Sequence, residues 1–500
     1  MERVIIGKRL GLKEAVRFGK MPDMMVKLSE EAKRKIEKGR QILEAHMKSR
    51  IYGVNTGFGG LADTLIPEKD IRKLQENLIK SHHAGIGDCV SPSIARTAVL
   101  IRLNSLSLGY SGIRKELAEF IVEYLNKGIS PCMKEYGSVG ASGDLAPLAS
   151  FALSLSFPEE VEVFLWDNGW KRVRGDEAFK KAGLEPITLE AKEALSLING
   201  TPFSAAIAAF ALDEAERILL LSDIAVALTM EALLSNPSFL FNSIHEVRKS
   251  VFQKERAENV QRLIQGSELI GKTNIVQDAY SIRCYPQVSG TSTSAIKFAR
   301  EVLEEEMNSA TDNPLIFEEG VFSGGNFHAQ PVAMASDLIS MALTYISTIS
   351  ERRLFRLLDP KLNRGLPAFL AKNPGLNSGF MIVQYTAASL ASENKTLSHP
   401  AGVDTIPTSA NQEDHVSMAP IAARKALKIS ENTKAVLACE MIAAAQGIDF
   451  RDGKPGDLTR RVYEYIRKIV PFIHEDTPVS PYLEKLILAL NNEFVDEVIK

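Results

Sequence analysis

Apolar residues recur at helical spacing over long stretches of the 500-residue chain, and this pattern dominates the sequence. A repeat of apolar positions at i, i+3 and i+4 predicts amphipathic or buried helices. The longest predicted helices are Ser204–Leu234, Ala333–Leu358, Ile421–Gln446, Leu458–Val470 and Tyr482–Ile499. Helices of this length and apolarity, with few strands between them, predict a mainly α fold built as a long-helix bundle.

Two short regions carry a strand pattern instead. Val161–Trp166 alternates apolar and polar side chains, meets an Asn-Gly pair at 168–169 and is followed by Trp170–Val173. This order predicts a β-hairpin. A second hairpin is predicted from Leu315–Phe317 and Val321–Phe322, which flank a glycine.

The distribution of these patterns predicts two domains. We expect residues 1–200 to form a smaller mixed N-terminal domain and residues 201–500 to form the long-helix bundle. The boundary near residue 200 follows the last mixed region and precedes the first very long helix. We find no internal repeat or low-complexity tract that would indicate another organisation.

Composition narrows the class of protein. Hydrophobic residues make up 45% and charged residues 24% of the chain, and the formal net charge is -3. This balance gives no electrostatic reason to expect nucleic acid or an anionic membrane as a partner. The most apolar segment, Ser204–Leu234, is interrupted by charges such as Asp213 and Arg217, so we expect a buried helix and no membrane span.

The four cysteines are Cys89, Cys132, Cys284 and Cys439. They are widely spaced and form no Cys-X-X-Cys pair, so neither a metal site nor a disulfide framework is expected. The first residues are charged and lack the apolar run of a signal peptide. Reduced thiols in a cytoplasmic protein fit these observations best.

The most informative stretch is Gly137–Ser150, with Ala141-Ser142-Gly143 at its centre. Three small residues let the amide nitrogen of Gly143 reach the carbonyl carbon of Ala141. Ring closure and dehydration of Ser142 would leave an electrophilic methylidene-imidazolone (MIO). Taken alone, Ala-Ser-Gly is more often an ordinary loop, here followed by a helix with Asp144 as N-cap and Pro147 in its first turn.

Other candidates also have ordinary interpretations. Tyr52 adjoins a Gly-rich segment, where a packed ring with a bonded hydroxyl is commoner than a base. His82 and His83 are adjacent, and spacing alone does not say which one is structural. Asn199-Gly-Thr201 can be a simple turn before a long helix.

Three further regions carry polar side chains. Gln277, Tyr280 and Arg283 recur every three residues, so one helical face would present an amide, a phenol and a guanidinium. Phe327 lies in a loop that contains two glycines. Glu413 belongs to Thr408–Met418, whose spacing does not exclude a solvated loop.

Together these motifs resemble the MIO-dependent aromatic amino acid ammonia-lyase family. The resemblance runs from Tyr52-Gly-Val-Asn-Thr-Gly-Phe-Gly to Thr408–Met418, and its most specific motifs are Gly137–Ser150, Gln277–Pro286 and Met381–Met418. It implies an MIO made from Ala141-Ser142-Gly143, with no external cofactor and no metal. It also implies a homotetramer with active sites shared between chains.

The resemblance assigns roles by position. Tyr52 matches the base that takes the β-proton, and Arg283 matches the clamp on the substrate carboxylate. The implied catalytic residues are Tyr52, Ala141, Ser142, Gly143 and Tyr280, and the implied substrate-binding residues are His82, Asn199, Gln277, Arg283, Phe327 and Glu413. A tyrosine can act as a base only if its pKa falls below about 10, which helix ends and nearby cations could achieve.

The resemblance also implies a substrate. Ser81-His82 matches the pair found in family members that act on histidine, and Glu413 matches the glutamate that accompanies imidazole binding. We therefore expect L-histidine to be converted to urocanate and ammonia. The alternatives are phenylalanine or tyrosine as substrate, a 2,3-aminomutase reaction, and a non-catalytic helical scaffold.

Three residues depart from the usual pattern of histidine-specific members. Gln330 stands where glutamate is usual, Pro202 where glutamine is common, and Ala194 where glycine is common. These departures concern details of the site, and the expected class of reaction is unchanged.

Overall fold

Helices dominate the computed structural model, which describes residues 2–490 and 494. The α-helices within these residues are α1 Leu12–Lys20, α2 Glu30–His46, α3 Ile71–His82, α4 Pro92–Leu106, α5 Lys115–Asn126, α6 Leu145–Ser156, α7 Gly175–Ala182, α8 Glu193–Ile198, α9 Pro202–Ala232, α10 Asn242–Arg248, α11 Val251–Leu263, α12 Tyr280–Arg283, α13 Tyr285–Glu306, α14 Gln330–Leu358, α15 Met381–Leu397, α16 Ala419–Asp449, α17 Asp457–Ile469 and α18 Ser480–Ala489. The predicted mainly α fold is confirmed.

The strands are short and few in the described part of the chain. They are β1 Arg3–Ile6, β2 Met25–Leu28, β3 Ile86–Cys89, β4 Ile129–Pro131, β5 Lys134–Tyr136, β6 Glu162–Trp166, β7 Trp170–Arg174, β8 Leu315–Phe317 and β9 Gly320–Phe322. β1 and β2 pair in parallel, and the other sheets are antiparallel: β3 with β5, β4 with β6 and β7, and β8 with β9. Both predicted hairpins are confirmed, as β6–β7 and β8–β9.

The long helices match the apolar pattern to within a few residues. α9, α14, α16 and α17 correspond to four of the five predicted helices. The fifth, Tyr482–Ile499, coincides with α18 at its start, and its last residues lie outside the described part of the chain. The long helix α13 escaped prediction because its first half is rich in Ser, Thr and Gly, which have low helix propensity.

Two compact units make up the chain, and each gathers separate segments. The first contains residues 1–213, 299–337 and 400–424, and the second contains residues 214–298, 338–399 and 425–500. α9, α13, α14 and α16 each contribute residues to both units. Whether residues 1–200 and 201–500 behave as domains stays a prediction.

The first unit contains a disulfide between Cys89 and Cys132, so the expectation of four reduced thiols is wrong for this pair. Antiparallel pairing of β3 with β5 places Cys89 opposite Lys134, two residues beyond Cys132. The two Cα atoms are 5.3 Å apart, within the range that a disulfide spans. Sequence spacing could not show this proximity. Cys284 and Cys439 are free thiols.

α14 is long and apolar enough to cross a membrane, but 72% of its most apolar window is buried inside the protein. Such burial is expected of a core helix.

Glu231, near the end of α9, is a buried carboxyl in the second unit. The backbone N–H of Gly456 donates to its Oε1 at 2.7 Å, and the Thr459 hydroxyl donates to the same oxygen at 2.8 Å. Burial nevertheless raises the pKa of Glu231 to about 7, because desolvation outweighs these hydrogen bonds. The folded protein therefore holds this proton at pH values where the unfolded chain has released it.

This pKa predicts how Glu231→Gln changes the pH dependence of stability. A folded-state pKa raised from 4.5 to about 7 gives a stabilising contribution that is complete below pH 4.5 and lost as the pH rises through 7. Thermal unfolding midpoints between pH 4.5 and 8 should therefore fall less steeply with pH for Glu231→Gln than for the wild type. Glu475→Gln, which removes an exposed carboxylate, is the control and should parallel the wild type.

Candidate active site

A cavity of about 580 Å³ opens in the first unit. Four side chains that the sequence predicted for the site line it together, namely Tyr52, His82, Ser142 and Glu413. The rest of the lining is Gly57, Phe58, Gly59, Leu61, Thr64, Ile66, Leu74, Asn77, Leu78, Ser81, Leu145, Leu195 and Ser409. The volume suits a small molecule.

The loop that carries Ser142 is tightly folded. Ser142 has φ 51°, which is uncommon for a residue with a side chain, and Gly143 has φ 76°. The Gly143 backbone pairs with Gly200, and the Asp144 N–H donates to the Gly200 carbonyl at 2.6 Å. A Cβ atom on Gly143 would lie 2.0 Å from that carbonyl oxygen, so only glycine fits.

Two other segments hold this loop. The Asn199 amide donates to the Ser142 carbonyl at 2.7 Å from the turn that follows α8. On the other side the Met418 N–H donates to the Val139 carbonyl at 2.9 Å, and Ala141 packs in a small apolar cluster with Val416 and Met418. The loop therefore has little freedom to relax.

Asp144 precedes α6 as expected, and Pro147 lies in the first turn. The Asp144 side chain makes no cap hydrogen bond, however. Its carboxylate accepts from the Ser204 N–H at 2.8 Å and from the Ser204 hydroxyl at 2.7 Å. Burial raises the pKa of Asp144 to about 6 despite these donors. The carboxyl thus links the loop to the start of α9.

Glu413 contacts Ser142 directly. The Ser142 hydroxyl donates to one carboxylate oxygen at 2.8 Å, and the Thr408 hydroxyl donates to the other at 2.8 Å. Backbone hydrogen bonds between Thr408 and Glu413 close the loop around this carboxylate. Glu413 is therefore aimed into the cavity by its own loop.

The two adjacent histidines point to different surroundings. His82, the last residue of α3, lines the cavity, and its Nδ1 lies 3.1 Å from the Ser81 hydroxyl. His83 instead bonds the Ser150 hydroxyl of α6 at 3.0 Å. Burial lowers the pKa of His82, although the charge of Glu413 acts in the opposite direction, so the neutral imidazole is favoured.

Tyr52 reaches the cavity with its hydroxyl accepting the Gly59 N–H at 3.1 Å. The expected lowering of its pKa is wrong for the single chain. Burial raises the pKa of Tyr52, the Gly59 N–H opposes this, and the Glu413 charge adds to it. Among the described residues, the cavity lining contains no lysine or arginine.

Gln277, Tyr280 and Arg283 belong to the second unit and are not part of the cavity lining. The expectation of one helical face is also wrong, since α12 begins at Tyr280 and Gln277 precedes it in a bend. Arg283 stacks over the Tyr280 ring at 4.5 Å, and its Nε donates to the Asp278 carbonyl at 2.9 Å.

The remaining predicted positions are in the first unit. Phe327 is half-buried and does not line the cavity. Of the three departures, Gln330 donates to the Gly402 carbonyl at 2.9 Å, Pro202 begins α9, and the Ala194 N–H donates to the Gln75 side chain.

One face of α3 lines the cavity without having been predicted as part of the site. Leu74, Asn77 and Leu78 line the cavity together with the Ser81-His82 pair. Their i, i+3, i+4 spacing is the signal that could have indicated them.

Comparisons with known proteins show the family to which this chain belongs. Residues 10–468 match the family described as aromatic amino acid lyase, and the chain belongs to that family. A curated relative from Caldanaerobacter subterraneus subsp. tengcongensis, named histidine ammonia-lyase, is 44% identical, and the alignment covers 100% of this chain and 99% of the relative.

Two solved structures share the fold over nearly the whole chain. Histidine ammonia-lyase from Trypanosoma cruzi is 39% identical with a TM-score of 0.92, covering 99% of this chain and 95% of that one. Tyrosine aminomutase from Streptomyces globisporus is 34% identical with a TM-score of 0.93, covering 99% and 98%. The fold alone therefore does not choose between elimination and amino-group migration.

The contact between Gly143 and Gly200 gives a direct test. Gly143→Ala should destabilise the protein more than Gly183→Ala, since both have positive φ but only Gly143 lacks space for a Cβ. Left-handed strain costs about 1–2 kcal/mol in either variant, and the overlap should add about 1–3 kcal/mol at Gly143. Thermal unfolding midpoints measure the difference. Equal losses would mean that the loop does not pack on Gly200.

Proposed function

We propose that the chain is a histidine ammonia-lyase that eliminates ammonia from L-histidine to give trans-urocanate. The observation that carries this proposal is the single cavity lined by Tyr52, His82, Ser142 and Glu413. A phenol, an imidazole, a dehydratable serine and a carboxylate suit a β-elimination from a substrate with an imidazole ring.

The residues present fit an MIO group. Ala141, Ser142 and Gly143 form a compact turn in which only glycine is tolerated at the third position, and Asn199 binds the Ser142 carbonyl. The three residues would supply the ring, and Asn199, Val416 and Met418 would hold it. When formed, the group supplies an electrophile that activates the substrate for loss of ammonia, by bonding either its amine or its aromatic ring.

His82 and Glu413 are suited to the two imidazole nitrogens of the substrate. A neutral imidazole can accept or donate one hydrogen bond, and a carboxylate accepts one. An imidazole ring can therefore satisfy both side chains, whereas a phenyl ring would satisfy neither. An unpaired buried group costs about 1–3 kcal/mol, which corresponds to a preference of roughly tenfold to hundredfold.

Tyr52 would take the β-proton, which requires a lower pKa than the single chain gives it. We propose that the chain forms a homotetramer in which another copy supplies Arg283, together with Gln277, Tyr280 and Phe327. The absence of a cation from the described cavity lining supports this arrangement. A guanidinium would bind the substrate carboxylate at two points and would favour tyrosinate.

A cytoplasmic location is part of the same proposal. The free thiols of Cys284 and Cys439 fit it. The disulfide between Cys89 and Cys132 counts against it, because a reducing compartment disfavours such a bond.

A substrate panel tests the proposed function. The wild type, offered histidine, phenylalanine and tyrosine separately, should form urocanate at least tenfold faster than cinnamate or coumarate, measured by ultraviolet absorbance.

Two variants test the roles of His82 and Glu413. His82→Leu should weaken histidine use, and Glu413→Gln should lower histidine turnover strongly but the unfolding midpoint only slightly. His83→Leu is the control, because His83 faces Ser150. Faster release of cinnamate, coumarate or a β-amino acid would replace histidine elimination with an alternative reaction.

Complementation tests the shared site. Tyr52→Phe and Arg283→Ala chains should each be inactive alone. Co-expressed, they should regain roughly a quarter of the wild-type sites by random assembly, because one site in four would receive both native side chains. Ammonia release by the purified mixture is the measurement. A fully active monomer, or no recovery in mixed oligomers, would contradict shared sites.

A further inference from the structure

Two arginines of α4, Arg96 and Arg102, are fully buried in the first unit, but their surroundings differ. Arg96 donates to several backbone carbonyls, including those of Leu125 at 2.6 Å and Met24 at 2.9 Å. Arg102 donates only its Nε, to the Ser196 carbonyl at 2.7 Å. Its Nη1 and Nη2 have no hydrogen-bond acceptor among the described residues. Unsatisfied buried donors are rare and require an explanation.

Arg102 belongs to a buried cluster of charges. Its Nη2 lies 3.7 Å from Asp312, too far for a hydrogen bond, and Lys192 Nζ lies 3.0 Å from the same carboxylate. The Ser111 hydroxyl also donates to Asp312, at 3.1 Å. All three charged side chains are fully shielded from solvent. Such a cluster is a weak source of stability, because desolvation offsets much of the attraction.

The guanidinium of Arg102 occupies the space beside Gly200. A Cβ atom on Gly200 would lie 2.6 Å from Arg102 Nη1 and 2.9 Å from the Thr311 hydroxyl. Gly200 in turn touches the reactive loop, since it pairs with Gly143 and accepts the Asp144 N–H. One residue therefore separates the cluster from Gly143.

Two carboxyl groups also adjoin this turn. Glu306 accepts the Thr201 hydroxyl at 2.5 Å, and Asp144 accepts from Ser204. The charges around the turn thus have both signs, so a net field does not explain the position of Arg102. The feature that bears on the loop is the place of the Arg102 guanidinium beside Gly200.

We infer that Arg102, held by the bond of its Nε to the Ser196 carbonyl and by the charge of Asp312, is a positioning residue for the self-modification of Ala141-Ser142-Gly143. It keeps Gly200 against Gly143, and so holds the Gly143 nitrogen near the Ala141 carbonyl carbon. This inference rests on the proposed function, since only an MIO enzyme requires that ring. Misplacement of reacting atoms by about 1 Å costs on the order of a hundredfold in rate.

The chemistry that this position serves balances without an oxidant. The new bond joins Gly143 N to Ala141 C. The Ala141 oxygen leaves as the first water and takes the amide protons of Gly143 and Ser142. The second water takes the Ser142 hydroxyl and the hydrogen on its Cα. The finished chain is therefore lighter by the mass of two waters.

The test compares Arg102→Lys with Arg96→Lys, a matched control on the same helix. Both keep a buried cation and lose contacts, so both should lower the unfolding midpoint. Intact mass is measured under denaturing conditions at intervals after pulsed synthesis. Arg102→Lys should lose its two waters about 10–100-fold more slowly than the wild type, and Arg96→Lys at the wild-type rate. Ser142→Ala is the chemical control and should never lose the second water.

Three outcomes separate the possibilities. A wild-type chain of full mass would refute the proposed catalytic group, and the inference with it. If the wild type is modified and Arg102→Lys loses its two waters equally fast, only the inference is overturned. An equal delay in both arginine variants would also overturn only the inference. If Arg102→Lys does not fold, Asp312→Asn, which keeps the shape and removes the negative charge beside Arg102, should show the same delay. A wild-type rate in that variant would also overturn it.

Discussion

The close contact of two glycine backbones is the constraint on which the candidate site depends. A Cβ atom on Gly143 would meet the backbone of Gly200, and a Cβ atom on Gly200 would meet Arg102 and Thr311. The contact fixes the loop that ends at Gly143 and also fixes Asn199, which binds Ser142. Burial of α8 and the start of α9 around this turn keeps the two backbones together. The packing of these helices thus stabilises one strained turn.

The chemistry of the cavity follows from what one chain provides and what it lacks. It provides a phenol, a neutral imidazole, a serine and a carboxylate, but the described lining has no cation. Burial raises the pKa of Tyr52 and the Glu413 charge adds to this rise, so the phenol stays protonated at neutral pH. A binding site for an amino acid also needs a partner for the carboxylate. These two needs support the proposal that the site is shared between copies of the chain.

The sequence predicted the mainly α fold, most of the long helices and both hairpins, because apolar periodicity and turn residues are local signals. It also predicted four residues that the cavity brings together. It did not predict α13, whose small polar residues hide the helical pattern, or the Cys89–Cys132 bond, which depends on strand pairing. The direction of the Tyr52 pKa was wrong because desolvation depends on tertiary burial, which no local pattern reports.

Family resemblance and residue spacing predicted different parts of the site. Spacing alone left His82 and His83 equivalent, and the fold separates them by aiming His83 at Ser150. The helical spacing of Leu74, Asn77 and Leu78 could have predicted the face of α3 that lines the cavity. The sequence could not predict the charge cluster of Arg102, Lys192 and Asp312, because these residues come from distant parts of the chain and meet only in the folded core.

The discontinuous first unit has a consequence for the order in which the protein can mature during synthesis. Its segments end at residues 213, 337 and 424, so the ribosome must make most of the chain before the unit is complete. Tyr52 emerges early, but Glu413 and Met418 arrive with the last segment. Until then, the apolar surfaces that will cover the reactive loop are unpaired. The nascent chain therefore spends most of its synthesis time without a finished core, when dependence on chaperones is greatest.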